Sequence, residues 1–159
     1  MEIRLAENSD LSGWVRLVEP MRHLFPGLET PESMEGYARD IAGAISRQEA
    51  LCAVENRTIC GVLAFSRAEN ELAFLAVSAQ HRRQGIARKL AERMFLELDP
   101  ARPVKLITYR AGVPEGEAAR SLYQRLGFCP GRLVEVDGSP AQEFLRPAEI
   151  SGSERSEAE

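Results

Sequence analysis

The segment ELAFLAV, Glu71 to Val77, constrains the fold more than any other part of this chain. Leu72, Phe74 and Ala76 fall on one side of a strand, and Ala73, Leu75 and Val77 on the other, so it is apolar on both faces. Successive side chains of a strand point to opposite faces. A strand of this kind belongs in the middle of a sheet, with a layer over each side.

The rest of the chain supplies those layers. EIRLA, at the N-terminus, alternates like a strand. Leu11, Trp14, Val15 and Val18 then share one helix face, with Ser9 or Asp10 as cap and Pro20 at the end. His23 to Ser33 reads as a loop punctuated by Pro26, Gly27 and Pro31, and Met34, Tyr37, Ala38, Ile41 and Ile45 mark a second amphipathic helix. ALCAVE and TICGVLAFSR flank the tight turn at Asn56-Arg57 and precede the central strand, as antiparallel neighbours. IARKLAERMFLEL is a helix, VKLITYR a strand, and EAARSLYQRLGF a helix stopped by Gly127. GRLVEV and AQEFLRP close the chain as a hairpin around DGSP. The predicted order is β-α-α-β-β-β-α-β-α-β-β, a mixed α/β fold.

With 159 residues and 44% hydrophobic composition, the chain has the size and core of one domain, expected over 1–147. The polar, acidic residues 148–159 read as a disordered tail. No apolar run is long enough to span a bilayer, and the N-terminus lacks the apolar stretch of a signal peptide, so a cytoplasmic protein without a membrane partner is expected. Cys52, Cys60 and Cys129 are odd in number and lack zinc-site spacing, so no metal and no disulfide framework are expected. Cys52 and Cys60 sit in apolar runs and read as buried small hydrophobes.

Against a formal net charge of −4, the stretch RRQGIARKL stands out. It follows the central strand, contains Gly85, and starts a helix near Ile86. The first N–H groups of a helix lack intrahelical partners and carry partial positive charge. Glycine lets an anion approach the backbone, and Arg82, Arg83 and Arg88 add charge, so the turn suits a phosphate. A solvated basic helix start is the competing reading. The Walker and Rossmann glycine patterns are both absent. Nucleic acid is not an expected partner, because the chain is acidic and the cluster lacks interleaved aromatics.

Two motifs in this order resemble the GNAT family of N-acetyltransferases. Arg82-Arg83-Gln84-Gly85-Ile86-Ala87 fits its [QR]-x-x-G-x-[GA] signature, and AARSLYQRLGF, Ala118 to Phe128, is similar to its A-x-x-L-Y-x-x-L-G-F segment. The resemblance implies a mostly antiparallel sheet with splayed central strands, flanked by helices. It implies acetyl-CoA as co-substrate. The pyrophosphate would be held by the amides of Arg82, Arg83, Gln84, Gly85, Ile86, Ala87 and Arg88, and the pantetheine arm by the backbone of Leu75, Ala76 and Val77. Tyr123 matches the general acid that protonates the leaving thiolate. Glu71 lines up with the glutamate base of the histone-acetylating branch, although its bland reading is a solvated carboxylate at a hairpin end. Gly116 departs from the pattern, since family members often carry asparagine there.

The implied activity is direct transfer of an acetyl group to a primary amine, on a small molecule or a peptide, in a ternary complex. A catalytically silent acetyl-CoA sensor is the alternative. Family habit admits a homodimer. The acceptor would be framed by the first two helices, their loop and the last hairpin, which offer Trp14, Phe25, Tyr37, Glu29, Glu32, Glu35, Glu135 and Glu143. These carboxylates would suit a cationic amine.

Overall fold

The computed structural model describes residues 1–149, so all but the first two positions of the expected tail lie outside the described residues. The elements follow the predicted order: β1 (Glu2–Leu5), α1 (Leu11–Val18), α2 (Pro31–Ser46), β2 (Ala50–Glu55), β3 (Thr58–Ser66), β4 (Glu71–Val77), α3 (Ile86–Glu97), β5 (Val104–Thr108), α4 (Glu117–Arg125), β6 (Cys129–Val136) and β7 (Ser139–Arg146). The strands form one sheet of seven in the order β1-β2-β3-β4-β5-β7-β6, with β4 in the middle. The β1–β2, β2–β3, β5–β7 and β6–β7 ladders are antiparallel, and β4 pairs with β5 in parallel at Glu71 and Lys105. The fold is thus the mixed α/β, mostly antiparallel sheet with helices that the sequence predicts.

Local chemistry sets most element ends. Asn56 and Arg57 adopt φ of 51° and 63°, the paired left-handed geometry of a tight hairpin turn. Asp137 and Gly138 do the same between β6 and β7, with φ of 49° and 79°. The last hairpin therefore turns on two residues rather than on all of DGSP, and its strands are longer than the sequence suggests. The expected loop up to Ser33 is also shorter. Pro31 opens α2, and Thr30 and Ser33 exchange the reciprocal bonds of a helix cap. Asp10 does not cap α1 with its side chain. Its carboxylate accepts the Glu7 N–H at 2.7 Å and two bonds from Arg4, at 2.7 and 3.0 Å.

The chain forms two compact units. The first comprises Met1–Phe65 and Phe74–Met94, and the second Ser66–Ala73 and the chain from Phe95 onward. The core of the first gathers Trp14, Val18, Met34, Ile41, Ile45, Cys52 and Val62. Trp14 is fully buried and donates its indole N–H to Tyr37 Oη at 2.8 Å. Tyr37 and Phe25 both pack on Phe74, with ring centroids 5.1 and 4.5 Å away. The core of the second holds Leu72, Leu98, Val104, Leu106, Leu126, Phe128 and Phe144.

Asn70 organises the second unit. It is fully buried and takes a left-handed φ of 51° just before β4. Its Nδ2 lies 3.2, 3.3 and 3.2 Å from the carbonyls of Asp99, Arg102 and Pro103. Its Oδ1 accepts the Asp99 N–H at 2.9 Å, and its own carbonyl accepts the Lys105 N–H at 3.1 Å. One side chain thus satisfies the polar backbone of the α3–β5 connection, which would otherwise be buried without partners. Leaving such groups unpaired costs about 1–3 kcal/mol each. Asn70→Ala should lower unfolding stability by about 2–4 kcal/mol, read as a lower urea midpoint with an unchanged slope.

Candidate active site

In the first unit, β4 leads through a short turn into the basic glycine loop. Arg82, Arg83, Gln84 and Gly85 are all exposed, and Arg83 and Gly85 adopt φ of 65° and 74°. A Cβ placed on Gly85 would meet nothing within 4 Å. Glycine is favoured here by backbone conformation, and the space in front of it is open. Lys89 N–H bonds to the Gly85 carbonyl at 3.0 Å, so Gly85 is the half-in residue of α3, and the amides of Ile86 and Ala87 open the helix without intrahelical acceptors. This open turn, with exposed Arg82 and Arg83 at a helix N-terminus, has the charge and the free space that a phosphate group needs.

The loop is held from below. Ile86 is buried, and a Cβ on Gly61 of β3 would come within 2.7 Å of Ile86 Cγ2 and 3.1 Å of Leu90 Cδ1. Gly61 therefore lets the start of α3 lie directly on the strand. Nothing in the local sequence pattern distinguishes this glycine from a strand-weakening one, because its partners Ile86 and Leu90 lie far along the chain. The side chains of Leu75 and Ala76 are buried and that of Val77 is half-buried, so any ligand contact there falls to the backbone.

In the second unit, Tyr123 sits on α4 with its ring set by the helix end. Gly127, at φ 98°, donates to the Gln124 carbonyl at 3.1 Å, and Phe128 N–H donates to the Tyr123 carbonyl at 3.0 Å. This glycine-stopped end folds Phe128 back against Tyr123, with centroids 6.2 Å apart, and Phe144 meets the ring edge-on at 6.4 Å. Burial pushes the Tyr123 phenol up to about 12. Its side chain is nonetheless only partly covered, and its hydroxyl has no hydrogen-bond partner among the described residues. The phenol is thus a free proton donor at neutral pH.

Glu71 lies half-buried at the start of β4. Burial raises its pKa, the Lys105 cation opposes that shift, and the Glu69 and Glu143 carboxylates reinforce it. Ala73, two residues on and on the same face, is exposed. The central strand is therefore not covered along its whole length on both sides, as its composition suggests. The uncovered stretch is the one beside Glu71.

Gly116, where the resemblance leads one to expect asparagine, has a steric reason. A Cβ there would fall inside the Tyr109 side chain, 2.5 Å from Cγ. Tyr109 thus excludes any larger residue, and the asparagine amide has no counterpart at this position.

The acceptor-facing residues need correction. Trp14 is sealed in the core of the first unit, and its N–H is spent on Tyr37. Phe25 packs on Phe74, and the Glu29 carboxylate accepts the Gly27 N–H at 3.0 Å. Glu143 is engaged by Arg132 at 3.5 Å. Of the five glutamates, Glu29, Glu32, Glu35 and Glu135 are exposed and Glu143 is partly buried.

The raised pKa of Glu71 has a consequence for stability. A carboxyl whose folded value lies above its unfolded value favours folding when protonated, and that contribution is lost as pH rises through the folded value. Ionised Glu71 therefore weakens the fold at neutral pH. Glu71→Gln should be more stable than the parent near neutrality, with the difference shrinking as pH falls towards the ordinary glutamate value of about 4.3. Urea midpoints across that range check the sign.

Comparison with known proteins bears on the glycine loop and on the Tyr123 segment. The family profile described as the acetyltransferase (GNAT) domain matches residues 46–130. No curated protein sequence matches the chain. Among solved structures, a GNAT-family acetyltransferase from Bacillus cereus ATCC 10987 is 21% identical, with a TM-score of 0.69, covering 91% of this chain and 94% of its own. The PaiA N-acetyltransferase from Thermoplasma acidophilum, solved in complex with coenzyme A, is 21% identical, with a TM-score of 0.67 over 91% of this chain and 97% of its own. A ribosomal-protein-alanine N-acetyltransferase from Brucella melitensis is 14% identical, with a TM-score of 0.71 over 92% and 99%. These likenesses establish the fold, and the profile spans the helix, strands and glycine loop described above. The chain belongs to the GNAT acetyltransferase family.

Proposed function

We propose that the chain is an N-acetyltransferase that moves an acetyl group from acetyl-CoA to a primary amine. The observation that carries this reading is the open basic turn at Arg82–Gly85, where left-handed Arg83 and Gly85 precede the first amides of α3. The amides of Arg82 to Arg88 would hold the pyrophosphate, and the backbone of Leu75, Ala76 and Val77 would pair with the amides of the pantetheine arm in the manner of an added strand. The co-substrate supplies the thioester whose C–S bond breaks as the amine forms a C–N bond.

Two side chains serve the proton movements. Glu71 takes the proton that the attacking amine must lose. Its raised pKa makes it a stronger base than an ordinary surface glutamate. Tyr123 gives its phenolic proton to the departing thiolate, and a value of about 12 keeps it protonated throughout the neutral range. The bound coenzyme A of the PaiA structure supports the ligand, and the ribosomal-protein-alanine enzyme supports an amine acceptor, a peptide N-terminus included.

Coenzyme binding is read by calorimetry and transfer by thiol release over a panel of amines and peptides. Gly85→Val should abolish coenzyme binding, and Gly85→Ala should weaken it, since each places a Cβ in the open space where the phosphate would approach the backbone. A left-handed position adds about 1–2 kcal/mol of strain to either variant, so thermal melts accompany both. Tyr123→Phe should bind coenzyme A as the parent does and lower kcat by about 10²–10⁴. Unchanged binding in the folded Gly85→Val variant would refute the phosphate role. Equal loss of binding and turnover in Tyr123→Phe would remove the acid role. Tight binding with no transfer to any acceptor would replace catalysis by sensing.

A further inference from the structure

Three carboxylates and two cations meet on one sheet face of the second unit. Glu71 stands opposite Lys105 in the β4–β5 ladder, so both side chains leave the sheet on the same face. Glu143 stands opposite Ile107, two residues along β5, and shares that face. Glu69 belongs to the turn that precedes β4. Lys105 Nζ bonds to Glu69 Oε2 at 3.0 Å rather than to Glu71. Arg132 Nε lies 3.5 Å from Glu143 Oε1. Arg102 exerts a weaker pull on Glu69 while its guanidinium donates to the Ala68 carbonyl at 3.3 Å. Glu71 is the one of the three carboxylates with no ion pair or hydrogen bond to its side chain among the described residues.

We infer that Glu69 is a positioning residue for acetyl transfer: by holding the Lys105 ammonium, it keeps that cation off Glu71 and leaves Glu71 free to receive the proton of the amine. The inference rests on the reading of Glu71 as the base. A carboxylate bonded to an ammonium is a weak base, because the cation stabilises its charged form. Lys105 is within electrostatic reach of Glu69, Glu71 and Glu143, and all three raise its own pKa. Glu69 wins the hydrogen bond because it is the more exposed carboxylate and loses less hydration in making it. The same exposure makes the pair nearly neutral for stability, so it can be removed without unfolding the chain. Arg132 treats Glu143 as Lys105 treats Glu69. Ile107 and Leu145, exposed on the same face, leave an apolar shelf where the uncharged amine can sit beside Glu71.

The test is Glu69→Gln in the full chain, read in two ways. Carbon NMR follows titration of the Glu71 carboxyl, and kcat/KM for acetyl transfer is measured across pH. In Glu69→Gln the freed ammonium turns to Glu71. Its titration midpoint should fall, and the acidic limb of kcat/KM should move to lower pH with it. Lys105→Gln should move both in the opposite direction. The Glu69 charge also acts on Glu71 directly, so Glu69→Gln is repeated in the Lys105→Gln background, where the fall should be much smaller; an equal fall there overturns the inference. An unmoved Glu71 midpoint in a folded Glu69→Gln variant overturns the inference. A midpoint that falls while the rate limb stays in place upholds the ion-pair arrangement and removes Glu71 as the base.

Discussion

The second unit is organised by the side-chain amide of Asn70. A β-turn residue with a buried polar side chain is an unusual place from which to fix a sheet, yet its bonds tie the turn before β4 to the connection before β5. The Asn70 carbonyl then receives the Lys105 N–H, which places Glu71 and Lys105 side by side in a parallel ladder. A buried amide is tolerated only when its donors and acceptor are matched, and here the matching groups are the otherwise unpaired carbonyls and N–H of the connection. Asn70 thus holds the backbone on which its neighbour Glu71 stands.

The first unit reaches its site by close approach. Gly61 removes the one Cβ that would keep Ile86 off the sheet, and the anchored Ile86 sets where the free amides of α3 begin. The left-handed backbone at Arg83 and Gly85 then turns the chain so that the loop faces open space. Packing fixes the base of the loop, and conformation shapes its turn. The positive charge around it is local in an acidic chain.

Tyr123 and Glu71 are both held at some expense to stability. Tyr123 keeps an unbonded phenol among aromatic rings, and Glu71 keeps an unpaired, half-buried carboxylate between two paired ones. Groups that found partners would be more stable and chemically idle. Tyr109 makes a related point from the negative side. Its ring occupies the volume next to Gly116, so a motif position that suits asparagine elsewhere is closed here by packing.

The sequence by itself determined the order of the elements, the central position of β4 and the location of the glycine loop. Each of these is written in local periodicity, in apolar faces and in turn residues such as Asn56-Arg57 and Gly127, which act through neighbours along the chain. It also marked Tyr123 and Glu71, through motif and register. It could not show that Trp14 is sealed, that Gly61 seats a helix, or that Asn70 is a buried hub rather than a turn residue, because those facts depend on partners far away along the chain. The same holds for the ion pairs around Glu71. Which of Glu69, Glu71 and Glu143 receives Lys105 is decided by exposure and distance on one folded sheet face, where Coulomb interactions are set by tertiary placement and not by spacing along the chain.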